Sequence, residues 1–212
     1  MTRSELYKRV TEYFLNNMPQ ASTELKYDTP FSLLVAVILS AQCTDKRVNQ
    51  ITPALLNAYP DAQSMSEATE NDIFEYIKSC SYPNSKAHHL HQMSIALCNN
   101  HNGIVPQNFD ELIKLPGVGR KTANVMISVA FGQQAIAVDT HVFRVSARIG
   151  LTQNAHTPRE AEEQLTKGFK HEYWSVAHHW LILHGRYVCK ALKPQCTKCG
   201  LTDLCQHFKK QI

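Results

Sequence analysis

Leu115-Pro116-Gly117-Val118-Gly119-Arg120-Lys121 is the stretch on which the fold of this chain turns. A short apolar helical pattern, 109–115, leads into it, and a second helix opens at Arg120. Apolar residues at Leu112, Leu115, Val118, Ala123 and Ile127 fit two helices closing on each other around the turn. Gly117 and Gly119 permit backbone angles and close approaches that a Cβ would forbid. Where the second helix begins, backbone N–H groups without helical partners and the positive end of the dipole create a phosphate site that ignores base identity. The matching partner is the backbone of one nucleic-acid strand. A bare Gly-x-Gly, by contrast, is satisfied by any tight helix–helix connection.

Lys121 lies in the first turn of that second helix beside Arg120, and both the dipole and the neighbouring charge disfavour its protonated form. An ordinary lysine is almost wholly protonated at neutral pH, so a nucleophilic amine needs such a setting; a phosphate-contacting lysine does not. Downstream, the apolar run Ala135-Ile136-Ala137-Val138 ends at Asp139, and Thr140-His141-Val142-Phe143-Arg144 resumes a helical pattern. Asp139 is therefore expected as a helix cap, a role compatible with chemistry at the same carboxylate.

Working outward, helical signals recur with few strand signals. Helices are expected near 4–16, 31–41, 45–58, 70–79, 86–99, 109–114, 120–131, 141–149, 158–169 and 173–191, giving an all-α chain. Thr157-Pro158-Arg159-Glu160 combines a capping-box pattern with proline at the first helical position. The most apolar stretch, Leu33 to Leu39, is too short to cross a bilayer and reads as a buried helix. The first residues, Met-Thr-Arg-Ser-Glu-Leu, do not resemble a secretory signal, so a cytoplasmic location is expected. A length of 212 residues, 43% hydrophobic content and a net charge of +4 suit a globular protein with a polyanionic partner.

Of seven cysteines, Cys43, Cys80 and Cys98 are scattered, while the spacing Cys189-x6-Cys196-x2-Cys199-x5-Cys205 gathers four thiolates in one loop. This argues against a disulfide framework and for a metal centre in a reducing compartment. Spacing alone leaves zinc and an iron–sulfur cluster both open. Arg186, Lys190, Lys193, Lys198, Lys209 and Lys210 surround the loop, against the single acid Asp203, and suit DNA phosphates or partial compensation of a negative cluster. His88, His89, His91, His178 and His179 lack the spacing of a catalytic zinc site and read as surface or packing residues.

Together, Leu115–Lys121, Asp139-Thr140-His141 and the terminal cysteine spacing resemble the bacterial endonuclease III family of helix-hairpin-helix DNA glycosylases. The resemblance extends to Ser40-Ala41-Gln42-Cys43-Thr44-Asp45, Asn84-Ser85-Lys86-Ala87 and His179–Arg186, and so covers essentially the whole chain. It implies two all-α lobes, a central one over 22–133 and a discontinuous one from 1–21 and 134–212 that carries the cluster loop 189–205. It also implies a [4Fe-4S] cluster on Cys189, Cys196, Cys199 and Cys205. The implied activity is that of a bifunctional DNA glycosylase/AP lyase, removing oxidised or ring-damaged pyrimidines from duplex DNA and cutting 3′ to the abasic site, with Lys121 and Asp139 catalytic. A monomer is expected.

By the same resemblance, Leu115, Pro116, Gly117, Val118, Gly119 and Lys193 contact DNA. Gln42 fills the gap left by a flipped nucleotide or reads the estranged base, and Asp45 and His141, with Gln42, line the lesion pocket. The sequence departs from the family pattern at Ser81-Tyr82-Pro83, where an apolar wedge is common. Tyr82 fits either a stacking wedge or a surface turn. Two alternatives share parts of the pattern: a monofunctional adenine glycosylase of the same superfamily, and a noncatalytic DNA-binding module that needs only the hairpin and the basic loop.

Overall fold

The computed structural model describes residues 1–210, which are helical and contain no strand. The helices are α1 (Arg3–Asn17), α2 (Pro30–Leu39), α3 (Asp45–Ala58), α4 (Ala62–Glu67), α5 (Glu70–Ile77), α6 (Pro83–His101), α7 (Phe109–Leu112), α8 (Arg120–Val125), α9 (Thr140–Ile149), α10 (Pro158–Gly168), α11 (Trp174–Tyr187) and α12 (Gln206–Lys209). A π-helical turn, Met126–Ala130, continues α8, and 3-10 turns lie at His171–Tyr173 and Cys196–Lys198. The chain divides into two compact units: Thr23–Gly132, and Met1–Ser22 together with Gln133–Ile212.

The first unit is built around the apolar run of α2, every residue of which from Phe31 to Leu39 is buried. A helix apolar on all sides needs neighbours on all sides. It packs against α3, α6 and α8, while α4 and α5 pack on α6. Leu34, Leu55, Met65, Ile73, Leu90 and Leu97 are wholly buried there. Fully burying each such side chain contributes about 1.5–3 kcal/mol.

In the second unit α1 packs with α10, and α9 with α10, α11 and α12. Phe14 stacks on Trp180 at 5.5 Å, and the indole Nε1 donates to Met18 O at 2.8 Å. The hydroxyl of Tyr7 donates to Leu151 O at 3.0 Å across 144 residues of sequence. Burial pushes the Tyr7 phenol up to about 12, so it stays a donor throughout the physiological range.

Differences from the expected elements have local causes. The six residues of α4 bury only Ala62 and Met65, too few for a periodic signal, and Asp61 and Ser64 hold them by a reciprocal capping box. Helix α6 starts at Pro83 and not at 86, because proline is well placed at a first helical position. Its N-cap, Tyr82, makes no side-chain capping bond and carries no cap signature. Helix α11 ends at Tyr187, four residues before the expected end. The box expected at Thr157 closes on one side only: Thr157 Oγ1 accepts from Glu160 N at 3.2 Å, whereas Glu160 Oε2 reaches back to His156 N at 2.7 Å.

Candidate nucleic-acid interface and cysteine pocket

Leu112, Leu115, Val118, Ala123 and Ile127 are all buried, which closes α7 and α8 on the turn between them. Leu115 N–H donates to Leu112 O at 3.1 Å and Val118 N–H to Leu115 O at 3.0 Å, so the turn winds tightly before α8 begins. The two glycines differ. Gly117 has φ +77°, and a Cβ there would lie 2.9 Å from the Cβ of His89 on α6. Gly119 is the extended N-cap of α8, makes no side-chain capping bond, and has nothing within 4 Å of where a Cβ would stand. Gly117 is thus required by the fold, and Gly119 is not. Arg120 lies over the Phe109 ring at 5.0 Å, and Lys121 follows as the second residue of α8, half-buried.

In the same unit Gln42 and Tyr82, like Asn102, are exposed side chains on left-handed backbone, Gln42 at φ 54° and Tyr82 at φ 54°, the latter 71% exposed. For residues with a Cβ this conformation costs on the order of 1–2 kcal/mol. It is held here by neighbouring bonds. Ser81 Oγ donates to Gln42 O at 2.6 Å, and Lys86 Nζ donates to Leu39 O at 2.8 Å and Ala41 O at 2.7 Å. Burial disfavours the charge of Lys86 and lowers its pKa. Asp45, first in α3 behind the Thr44 cap, begins three residues after Gln42.

Sequence reasoning placed Lys86 only in a family-like segment and His89 among surface or packing residues, and anticipated neither the bonds of Lys86 Nζ to Leu39 O and Ala41 O nor the seating of Gly117 on His89. A signal existed for the first: 86, 90, 93 and 97 share one helical face, and the other three positions are apolar and buried.

In the other unit Asp139 is the N-cap of α9, its Oδ1 accepting from Val142 N at 2.8 Å. The cap uses one of two carboxylate oxygens. His141, the second residue of α9, receives a bond from Arg144 Nη2 on Nδ1 at 3.2 Å, which places the ring proton on Nε2.

Cys189, Cys196, Cys199 and Cys205 line one pocket with Ile149, His184, Leu201 and Phe208. Burial raises the Cys199 thiol pKa, and the nearby thiols of Cys205, Cys189 and Cys196 add to the shift. Arg148 Nη1 donates to Cys189 Sγ at 3.5 Å and to Lys190 O at 2.7 Å, and Nη2 to Ala191 O at 3.0 Å. Arg144 donates to Cys189 O and Gly185 O. Two arginines one turn apart on α9 therefore fix the start of the loop, a role that sequence reasoning missed because both partners are backbone or sulfur. Lys193 is exposed in the same loop with φ 53°. His178, His179 and His184 are buried packing residues, and burial lowers His179 and His184 to about 4.

Residues 35–171 match the model of the HhH-GPD superfamily of base excision DNA repair proteins. Endonuclease III of Rickettsia felis is 44% identical over 99% of this chain and 98% of its own length. Endonuclease III of Bacillus subtilis is 46% identical over 91% of this chain and 88% of its own. A solved structure of a trapped endonuclease III–DNA covalent intermediate, an estranged-adenine complex, superposes with a TM-score of 0.94 at 43% identity, covering 100% of this chain and 99% of the other. The turn Leu115–Gly119, the helical fold and these full-length likenesses agree: the chain belongs to the HhH-GPD superfamily of base excision DNA repair proteins and, within it, to the endonuclease III family.

Proposed function

We propose that this chain is a bifunctional DNA glycosylase and AP lyase of base excision repair, acting on duplex DNA that carries oxidised or ring-damaged pyrimidines or abasic sites. The observation that carries this reading is the amine of Lys121, set on the first turn of α8 behind the Pro-Gly-Val-Gly turn of an endonuclease III family member.

Inside a stacked duplex C1′ is out of reach, so the damaged nucleotide must be extruded, at a cost of a few kcal/mol that is least for a damaged pair. The turn 115–119 grips one strand's phosphates through backbone N–H groups. Gln42 and Tyr82, exposed on neighbouring left-handed turns, fill the vacated space, Tyr82 by stacking. Asp45 and His141 contact the flipped base, His141 with Nε2–H as donor.

The neutral amine of Lys121 then adds to C1′; the C1′–N bond breaks with its electron pair leaving on the base. Asp139 stabilises the positive charge growing on the sugar and accepts the proton that the attacking amine sheds. Opening of the sugar ring gives a Schiff base, loss of a C2′ proton expels the 3′ phosphate by β-elimination, and hydrolysis frees Lys121.

Among the described residues no group of three or more His, Cys, Asp or Glu is placed to hold a metal ion. A single zinc would need its sulfurs all at about 2.3 Å from one point. A four-iron cluster takes each thiolate on a different iron, and Cys189, Cys196, Cys199 and Cys205 line one shared pocket. Arg148 beside Cys189 offsets part of the negative charge. When bound, a [4Fe-4S] cluster would cross-link the loop, holding Lys193 and its basic neighbours for phosphate contact. Metal analysis is expected to find iron and sulfide with broad visible absorbance, both lost in Cys196→Ser; zinc in their place would contradict the assignment.

The roles of the glycines separate in the same way. Gly117→Ala, strained at φ +77° and pressed on His89, is expected to lower stability by about 1–3 kcal/mol. Gly119→Ala is expected to cost about 1 kcal/mol or less in stability. Its affinity for an abasic-site duplex should nonetheless fall roughly tenfold or more, equivalent to at least about 1.4 kcal/mol, because the space that its Cβ enters is where a phosphate approaches. Equal affinity of Gly119→Ala and parent in a salt-controlled binding titration would remove the turn from the interface.

The reaction itself is tested with a 5′-labelled duplex bearing one oxidised pyrimidine. The expected product is a shortened strand with a 3′ unsaturated aldehyde. An intact strand carrying an abasic site would favour a monofunctional glycosylase, and binding without base release would favour a noncatalytic module.

A further inference from the structure

Two thiols that the proposed chemistry does not use face each other between the segments holding Gln42 and Tyr82. Cys43 Sγ and Cys80 Sγ are 3.6 Å apart. Cys43 follows Gln42 directly and Cys80 precedes Tyr82 by two residues; both lie outside helices, in the connections from α2 to α3 and from α5 to α6. Ser81 Oγ on Gln42 O joins the two connections, and Lys86 Nζ of α6 ties down the end of α2 at Leu39 O and the first connection at Ala41 O. A movement of one sulfur is therefore carried into the backbone beneath both exposed side chains.

The two sulfurs are not equivalent. Cys43 is half-buried, whereas Cys80 is 6% exposed. Burial, and then the neighbouring Cys43, push the Cys80 thiol up to about 11, and Lys86 and Arg47 act weakly against the shift. Cys43 is thus the more reachable sulfur and Cys80 the resolving partner.

We propose that Cys43 and Cys80 form a reversible redox switch, in which a hydroperoxide drives closure of a disulfide that displaces Gln42 and Tyr82 and suppresses lesion processing. The functional part rests on the reading of Gln42 and Tyr82 as gap-filling residues. The Cys43 thiolate attacks one peroxide oxygen; an S–O bond forms, the O–O bond breaks, and the departing oxygen leaves as water after protonation. Cys80 sulfur, giving up its proton, attacks the resulting sulfenic acid; the S–S bond forms, the S–O bond breaks, and a second water leaves. The two thiols lose two electrons and two protons, and hydrogen peroxide is reduced to two waters. A dithiol reverses the step by exchange.

Closure to the ~2.05 Å of a disulfide brings the sulfurs about 1.5 Å nearer. Misplacement of about 1 Å at a positioning element is enough to slow an enzyme roughly 100-fold.

The test uses the full-length, cluster-loaded protein, exposed to graded hydrogen peroxide and digested without reduction. The expected result is a cross-linked peptide pair containing Cys43 and Cys80, lighter than the two free peptides by two hydrogens. Release of an oxidised pyrimidine should fall at least tenfold at the same dose and recover on adding dithiothreitol. Cys43→Ala should match the untreated parent in activity and resist that dose, with visible absorbance followed in both proteins so that loss of the cluster is seen separately.

No cross-link at doses that oxidise Cys98, a cross-linked protein with full activity, or equal inhibition of Cys43→Ala would each overturn the switch. Because the cross-link is read by mass, its absence is distinct from failure of the functional reading, whose sign is a reduced protein that releases no base. In that event the switch is read as a tenfold loss of affinity for an abasic-site duplex on oxidation, and unchanged affinity overturns it.

Discussion

Lys121→Met is expected to abolish covalent capture of DNA and to lower base release and strand cutting by roughly 1,000-fold or more, the scale on which removal of a nucleophile acts. Methionine keeps most of the aliphatic stem, so the half-buried position on α8 remains filled. The turn 115–119, with Gly117 seated on His89 and Leu115 and Val118 buried, does not depend on the amine. Affinity for an abasic-site duplex should therefore fall by less than about tenfold, corresponding to one lost phosphate-range charge. Single-turnover rates and binding, measured at one salt concentration, separate the two effects. A loss of binding as large as the loss of rate would make Lys121 a phosphate contact and nothing more.

The second large effect is expected at Asp139, where two roles must be told apart. As N-cap of α9 its carboxylate accepts from Val142 N, and asparagine serves nearly as well in that position. Asp139→Asn should thus leave thermal stability within about 0.5 kcal/mol of the parent. The neutral amide cannot take a proton from the attacking amine or balance positive charge on the sugar, and the rate of base release should drop about 100- to 10,000-fold. Asp139→Ala adds the loss of the cap, about 1 kcal/mol of stability. Equal rates for Asp139→Asn and parent would leave the residue with its capping role alone.

These sites were legible to different degrees, for physical reasons. The hairpin could be read because glycine and helically spaced apolar residues are local signals, and Leu112, Leu115, Val118, Ala123 and Ile127 are indeed buried as that spacing requires. The cap at Asp139 was legible from an apolar run ending in a short acid before a helical pattern. The left-handed backbone at Gln42 and Tyr82 was not, since neither residue is glycine or asparagine, and the bonds that hold the Gln42 segment come from Ser81 and Lys86, far along the chain.

The arginine clamp on the cysteine loop escaped for a similar reason: Arg144 and Arg148 reach across more than forty residues to Cys189, Lys190 and Ala191. The unequal need for the two glycines also lies beyond the sequence, because it depends on whether another part of the chain, here His89, occupies the Cβ direction. At Gly119 no part of the chain lies within 4 Å of that direction.

The central claim is that one amine of this chain becomes covalently joined to the sugar. Incubation with a duplex bearing a single oxidised pyrimidine, reduction with borohydride, digestion and mass mapping of the adduct test it in one measurement. The expected result is a single modified peptide with the reduced sugar on Lys121, formed in parallel with base release and absent from Lys121→Met. An adduct on another amine, or efficient base release and strand cutting with no adduct, would contradict it.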